Sequence, residues 1–526
     1  MSDVASLALA PEPIVRLENY FQQPYNLAIA TARTCYSSKV ISPEEVDRDE
    51  QARAQRDRIA ESIYKAGHHT TIQHPTFQFV LERVSRHFIW SFLHSHTFYN
   101  SEQVSQRFVE VKPGNVTIPP LADQAREIYL KTVDLQMEAY HRLIELVEPP
   151  VRREYQRLFP SRSPDEKRWQ SVIKKRCQEV ARYALPVATH AHLYHTISGI
   201  PLYRYWRLCQ EFDTPLEQRV VVQKMVEEVA RIDPQFMTLA EEPLPLEQTL
   251  EYQVFQTLHR PLTNGLGRAF LDEFDQELGG RTSKLIDYKA HGEQTMAQAV
   301  RSVLGLSKDR LPDAQAIGLV LDPATNPYLS DSLTLTTISK LTRAMVHPHF
   351  TFKKKLSHTA DSQDQRHRMV PGSRPVLASH FLAGRPDYLT PALIQHAPEA
   401  QEHYDRTMRA VWQAIEQLLN LGTPVEFALY LLPNAFPIRF EESGDLLHFH
   451  HKWVQRLCYT AQEEIWNACR EEVLQVTERM PDIGKYLGAP CTLRSAARVR
   501  PYCPEGDRFC GVAVWKIPIE EYQRLI

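Results

Sequence analysis

The chain has 526 residues, 43% hydrophobic and 24% charged, with a net charge of −3 and eight cysteines. That length predicts two to four domains with room for large cores. The near-neutral balance disfavours nucleic acid as the main partner, and no apolar run is long enough to cross a bilayer. Met1 to Pro13 lacks the basic start and long apolar stretch of a signal peptide, and the cysteines are sparse, so the expected compartment is the cytoplasm, with no membrane partner.

In chain order, Leu17-Glu18-Asn19-Tyr20 predicts a strand leading into an Ala-rich helix that ends near Ala32-Arg33. His74-Pro75-Thr76-Phe77-Gln78-Phe79 then places two phenylalanines two residues apart, the strand period that aims both at one core. Helical periodicity covers Gln124 to Val147 and Leu216 to Ile232. Glu241 to Glu247 is rich in Pro and Glu and opens a connection that ends at Gly279-Gly280, possessing a helix of its own in one reading. Leu285-Ile286-Asp287-Tyr288 then repeats the first strand, at the same offset that relates Val300-Arg301 to Ala32-Arg33. His347-Pro348-His349-Phe350-Thr351-Phe352 repeats the His-Pro strand, and Leu431-Leu432-Pro433 repeats Ala184-Leu185-Pro186. Amphipathic helices are expected over Ser330 to Val346 and over Gln401 to Leu421, the second stopped by Gly422.

Matches in the same order predict a tandem duplication of a whole domain, far longer than a solenoid repeat. The expected domains are 1–240 and 281–526, with 241–280 as linker, in an α/β (α+β) fold packed as a pseudo-dimer. A homodimer of such chains would be a pseudo-tetramer of domains.

Gln363-Asp364-Gln365-Arg366-His367-Arg368 sets two permanent cations around one histidine. An arginine fork suits phosphate or carboxylate oxygens, so the turn reads as an anion site, the alternative being a solvated basic turn.

These residues resemble the flavin-dependent thymidylate synthases. That family carries R-H-R-x-x-S-x-N-x-x-S-x-R-Y after an H-x-x-F-x-F segment and a Ser-Arg pair, then R-x-x-L-P, then an arginine six residues before the glutamine of A-Q-x-E-I. The first half resembles it from Gly67-His68-His69 through Ser85-Arg86 to the run Ser95 to Phe108, and again at Arg182-Tyr183-Ala184-Leu185-Pro186. The second half resembles it at Arg366-His367-Arg368 and from Arg456 to Ala461-Gln462-Glu463-Glu464-Ile465.

Neither half holds the whole motif. Ser95 and Thr97 replace both arginines of R-H-R in the first half, where Ser105, Arg107 and Arg182 remain. The second half keeps Gln363, Arg366 and Arg456, with Val376, Ala378 and Leu429 where S-x-R and the arginine before Leu-Pro belong. By the motif order, Gln363 and Arg366 correspond to Phe92 and Ser95. In the family these two sets of residues come from opposite sides of a subunit interface. The expectation is therefore one retained composite site and one dead symmetry mate.

The resemblance implies reductive methylation of dUMP to dTMP, with methylenetetrahydrofolate as carbon donor, FAD supplying the hydride and NADPH reducing the flavin. It gives Arg456 the electrostatic role at the uracil ring and makes Gln363, Arg366, Ser105, Arg107 and Arg182 the substrate contacts. Flavin contacts fall on Arg366, His367, Arg368, His347 and His451, with His74 the counterpart of His347. The family's later N-x-R-x-x-x-N contacts fall on Asp445, Leu447 and His451, or on Ser198, Ile200 and Arg204 in the first half. Two alternatives stay open: flavin-dependent modification of another pyrimidine nucleotide, and a non-catalytic nucleotide-binding pseudoenzyme.

No metal ligands are assigned. His448, His450 and His451 read as ordinary surface and core of a helix, and His190, His192 and His195 have no evident carboxylate partner. Cys491, Cys503 and Cys510 lie in a Gly- and Pro-bearing tail without C-x-x-C spacing; they read as inert thiols, with zinc as the alternative if a fourth ligand exists.

Overall fold

The computed structural model describes residues 8–258, 266–331 and 339–526. The fold is α+β, built twice on the same plan. In the first copy, β1 (Ile14–Tyr20), β2 (Thr76–Ser85), β3 (Asn100–Gln103) and β4 (His190–Ser198) form an antiparallel sheet in the order β1-β2-β4-β3. In the second, β5 (Ser283–Tyr288), β6 (His349–Ser357), β7 (Gly372–Ser373) and β8 (Pro437–Asp445) repeat that order as β5-β6-β8-β7. Alternation selects the buried face: Phe77 and Phe79 in β2, and Phe350 and Phe352 in β6, are fully buried.

Helices fill the rest of each plan. Leu216–Ile232 and Glu463–Arg479 are equivalent, as are Gly199–Leu208 and Leu446–Arg456. The periodicity over Gln124 to Val147 belongs to one helix, Asp123–Leu158, which continues through Pro149 and Pro150. Gln401 to Leu421 falls in the helix Pro398–Asn420, beyond which Gly422 adopts φ +81°, a left-handed conformation open to glycine. The expected helix over Ser330 to Val346 is not seen as such. Its described parts are 3₁₀ turns, Pro327–Ser330 and Thr342–Val346, and residues 332–338 lie outside the described residues. The supposed linker contains the helices Leu250–Leu258 and Leu266–Leu278, with residues 259–265 outside the described residues.

The compact units do not follow the sequence halves. Unit 1 comprises residues 1–134, 186–264 and 414–432; unit 2 comprises 135–185, 265–413 and 433–526. Each unit therefore takes a segment from the other half of the sequence. In unit 1, Val187 and Ala188 donate backbone hydrogen bonds to Leu432 and Tyr430; in unit 2, Asn434 and Ala435 donate to Leu185 and Tyr183. Each exchanged segment brings one tyrosine. The Tyr430 hydroxyl donates to Glu217 at 3.0 Å, and the Tyr183 hydroxyl donates to Glu464 at 2.6 Å. The receiving glutamates hold equivalent serines: Ser85 N and Oγ donate to Glu217, and Ser357 N and Oγ donate to Glu464.

Candidate active site

Ser357 caps the helix His358–Asp364, its Oγ accepting from Ala360 N at 3.1 Å. The helix ends in the turn that carries Arg366-His367-Arg368. Arg456 is the last residue of the helix Leu446–Arg456 and reaches this turn twice: its Nε donates to His367 Nε2 at 2.9 Å and its guanidinium donates to the Gln363 carbonyl at 2.9 Å. Burial, then the nearby Arg456 and Lys452, hold the His367 pKa well below the ordinary range, so the ring is a neutral acceptor. The His451 ring lies edge-on to it at 6.0 Å. Arg366 is exposed, and Gln363 Nε2 and both polar ends of the buried Gln365 side chain have no hydrogen-bond partner among the described residues.

Arg182 enters unit 2 on the exchanged segment. Its Nε donates to the Glu179 carbonyl at 3.2 Å, and its own carbonyl accepts from Asn434 Nδ2 at 3.0 Å. Unit 2 thus holds Gln363, Arg366, Arg456 and Arg182, whereas Ser105 and Arg107 belong to unit 1. Ser105 Oγ accepts from Arg107 N at 3.2 Å, and the Arg107 guanidinium lies over the Phe108 ring at 5.3 Å. A cavity of about 590 Å³ in unit 2 is lined by Tyr183, Lys355, Tyr388, Glu463, Glu464 and Asn467 among others, and by none of these six motif residues.

The other expected contacts divide. His347 follows a 3₁₀ turn at the entry to β6, half-buried; His74 occupies the matching place in unit 1. Asp445 caps a helix by accepting from His448 N at 3.1 Å, and Leu447 is 5% exposed, in the core. Ser198 and Ile200 open the helix Gly199–Leu208, where Arg204 bonds His96 Nε2 at 2.6 Å. His448 bonds Asp445 through Nδ1 at 2.7 Å, while His450 is buried with its pKa lowered to about 4 by burial and His451.

A buried ionic network under the turn was not foreseen. Lys354 Nζ lies 3.2 Å from Asp364, 3.0 Å from Glu442 and 2.9 Å from Glu472, all with fully buried side chains. Lys452 Nζ adds Asp364 at 2.7 Å and Glu442, and Arg374 pairs with Asp361 at 2.7 Å and reaches Asp364 at 3.5 Å. Burial pushes Asp364 upward, but Lys354, Lys452 and Arg374 outweigh it and hold its pKa well below normal. Glu442, raised by burial and then by Asp364, is pushed up to about 7. With a proton on Glu442, three carboxylates balance three cations.

Among the described residues, unit 1 has no such network. Counting from the strand registers and helix caps, Lys354, Asp364, Glu442, Lys452 and Glu472 correspond to Leu81, Phe92, His195, Tyr205 and Met225. There Phe92 packs on Tyr205 at 4.2 Å and on His195 at 4.8 Å. The same caps set Gln363 and Arg366 opposite Ser91 and His94, one place from the Phe92 and Ser95 given by motif order. Either register leaves unit 1 without the glutamine and arginine.

The model of the family described as thymidylate synthase complementing protein matches residues 16–235 and again residues 284–482, about four fifths of the chain. The chain belongs to that family, twice over. Among its relatives is the flavin-dependent thymidylate synthase of Clostridium tetani, 24% identical over 223 residues, covering 42% of this chain and 83% of that protein. The namesake proteins of Corynebacterium diphtheriae and Geobacter sulfurreducens are 28% identical over 178 residues and 27% over 172, covering 33% and 32% of this chain and 61% and 70% of theirs. Each covers less than half of this chain, as one copy of a duplication should. No helix among the described residues is long and apolar enough to cross a membrane.

Proposed function

We propose that this chain is a flavin-dependent thymidylate synthase with one working site, converting dUMP to dTMP with methylenetetrahydrofolate as carbon donor and NADPH as reductant. The site draws on Gln363, Arg366 and Arg456 from the second half of the sequence and Arg182 from the first, all in unit 2. One observation carries the reading. Arg182, from the first half, belongs to the compact unit that holds Gln363, Arg366 and Arg456, while its counterpart in unit 1 is Leu429.

The roles follow from the chemistry of the side chains. Arg366 and Arg182 are permanent cations suited to phosphate oxygens. Arg456, fixed by His367 and the Gln363 carbonyl, is preorganised to stabilise negative charge developing on a uracil ring. Because His367 stays neutral, it does not add a second charge beside Arg456.

The turn fits a polar cofactor: Gln363 Nε2 and both polar ends of the Gln365 side chain lack partners among the described residues, and Arg366 and Arg368 flank His367. Arg366, His367, Arg368, His347 and His451 are the residues proposed to hold FAD, which when bound supplies hydride. Purified protein should be yellow and should form dTMP from dUMP. Arg456→Ala and Arg182→Ala should each abolish dTMP formation and weaken dUMP binding by calorimetry, whereas Ala378→Ser should leave both unchanged. Flavin and dUMP bound without turnover would favour the pseudoenzyme reading, which the incomplete motif in each half supports.

A further inference from the structure

The C-terminal tail and the turn that follows Arg456 hold a second concentration of chemistry. Four of the eight cysteines converge there, from three stretches of chain. Cys458 lies two residues beyond Arg456, with its Sγ 3.1 Å from Thr460 Oγ1. The neighbouring Tyr459 ring stands on the Tyr522 ring at 5.6 Å, and the Tyr522 hydroxyl bonds Thr492 Oγ1 at 3.2 Å. Thr492 follows Cys491 in the helix Pro490–Ala496. From that helix Arg494 Nε donates to the Pro501 carbonyl at 3.0 Å, two residues before Cys503. Cys510 bonds the Val512 carbonyl at 3.6 Å and packs, like Cys491, on the core that contains Tyr459 and Tyr522.

The thiols also act on one another through space. Burial raises Cys491 first, followed by Cys458, Cys503 and Cys510; Cys510 is raised by burial and then by Cys458 and Cys503. All eight cysteines are free, so no disulfide explains the convergence. The remaining four, Cys35, Cys177, Cys209 and Cys469, are not among the thiols that act on this group.

Single-ion zinc demands tight closure: Zn–S bonds of about 2.3 Å put neighbouring sulfurs within roughly 4 Å of each other. Among the described residues, no three His, Cys, Asp or Glu side chains stand where they could share one metal ion. Four thiols near enough to perturb each other, but not closed on a point, match a larger inorganic body. Clusters of iron and sulfide are held by four cysteine thiolates and space them more widely than one ion does.

We propose that Cys458, Cys491, Cys503 and Cys510 hold an iron–sulfur cluster. It fastens the tail to the turn that follows Arg456. The role is structural: the cluster adds a covalent link between segments already joined through Tyr459, Tyr522 and Thr492, and no electron transfer through it is needed.

The test is elemental analysis of the full chain purified without oxygen. Iron and acid-labile sulfide should appear in equal amounts, about two or four of each per chain. Cys503→Ser and Cys458→Ser should each reduce both at least fivefold, while Cys35→Ser should leave both unchanged. Should the serine variants fail to fold, thiol labelling of the unaltered chain gives the same answer. These four cysteines should resist alkylation in the native protein and become reactive once iron is chelated. Chain free of iron and sulfide after anaerobic reconstitution with ferrous iron and sulfide overturns the proposal. So does one zinc per chain with no sulfide.

Discussion

The Tyr183 hydroxyl donates to Glu464 at 2.6 Å in unit 2, and Tyr430 donates to Glu217 in unit 1 at 3.0 Å. Each tyrosine comes from the other half of the sequence, so neither half completes its buried Ser–Glu pair alone. The residue before each tyrosine differs: Arg182 in unit 2 and Leu429 in unit 1. That difference separates a structural role from a functional one. Removing either hydroxyl deletes a hydrogen bond to a buried carboxylate, which costs about 1.5–3 kcal/mol. Tyr183→Phe and Tyr430→Phe should therefore lower thermal stability by similar amounts. Only Tyr183→Phe should also weaken dUMP binding, because Arg182 is its neighbour. Equal losses of binding in both variants would sink the assignment of Arg182 to the substrate.

The Arg456–His367 contact makes a spectroscopic prediction. Burial is the largest cause of the low His367 pKa, with Arg456 next. Arg456→Met should raise the pKa of His367 without restoring its ordinary value, since burial persists. The titration of the His367 ring by NMR measures this. An unmoved titration in the variant would mean that Arg456 does not set the charge state of the turn.

The ionic network predicts non-additive mutational costs. Lys452→Met alone leaves Asp364 and Glu442 with Lys354 as their remaining lysine partner, and breaking a buried pair in this way costs about 3–5 kcal/mol. Replacing Lys354, Asp364, Glu442, Lys452 and Glu472 together by Leu, Phe, His, Tyr and Met imports the packing unit 1 uses at equivalent places. Denaturant unfolding should show the fivefold variant losing less stability than the sum of its single changes.

Much of the fold was legible because it repeats. Phe77 and Phe79, then Phe350 and Phe352, announced the same buried strand twice, and the helix Leu216–Ile232 follows its periodicity to both ends. The ionic network also left a mark that was passed over: Lys354 continues the buried parity of Phe350 and Phe352, although Lys353 and Lys355 beside it make the segment look like a solvated basic run. Its partners were invisible, since Asp364, Glu442, Lys452 and Glu472 come from four elements that only the tertiary fold brings together. The exchange of residues 135–185 and 414–432 was equally hidden, because hydrophobic periodicity says that a helix has a buried face but not which core receives it. Leu447 fell on a ligand position by motif register alone, and its apolar side chain went to the core.

Two buried carboxyls each contribute a pH dependence of known direction. Glu217 is raised to about 7, chiefly by burial, even though Ser85, Tyr430 and Thr117 donate to it and pull the other way. Glu442 is raised to about 7 as well, by burial and by Asp364. A carboxyl whose folded pKa lies above its unfolded value binds more protons in the native state between those two values. Stability from these two groups is therefore fully present below the unfolded pKa of about 4.5 and is lost as pH rises through 7. Each contributes on the order of 3 kcal/mol at most. Buried histidines act in the opposite sense below about pH 6.5: burial lowers the pKa values of His367 and His450, so the stability they contribute is gained as pH rises. Glu217→Gln removes one carboxyl and leaves the histidines, so the stability of the unaltered chain relative to the variant, read as melting temperature, should fall between pH 5 and pH 8. A difference between the two chains that does not change with pH would show that Glu217 is ionised in the native chain throughout this range, held there by its four donors.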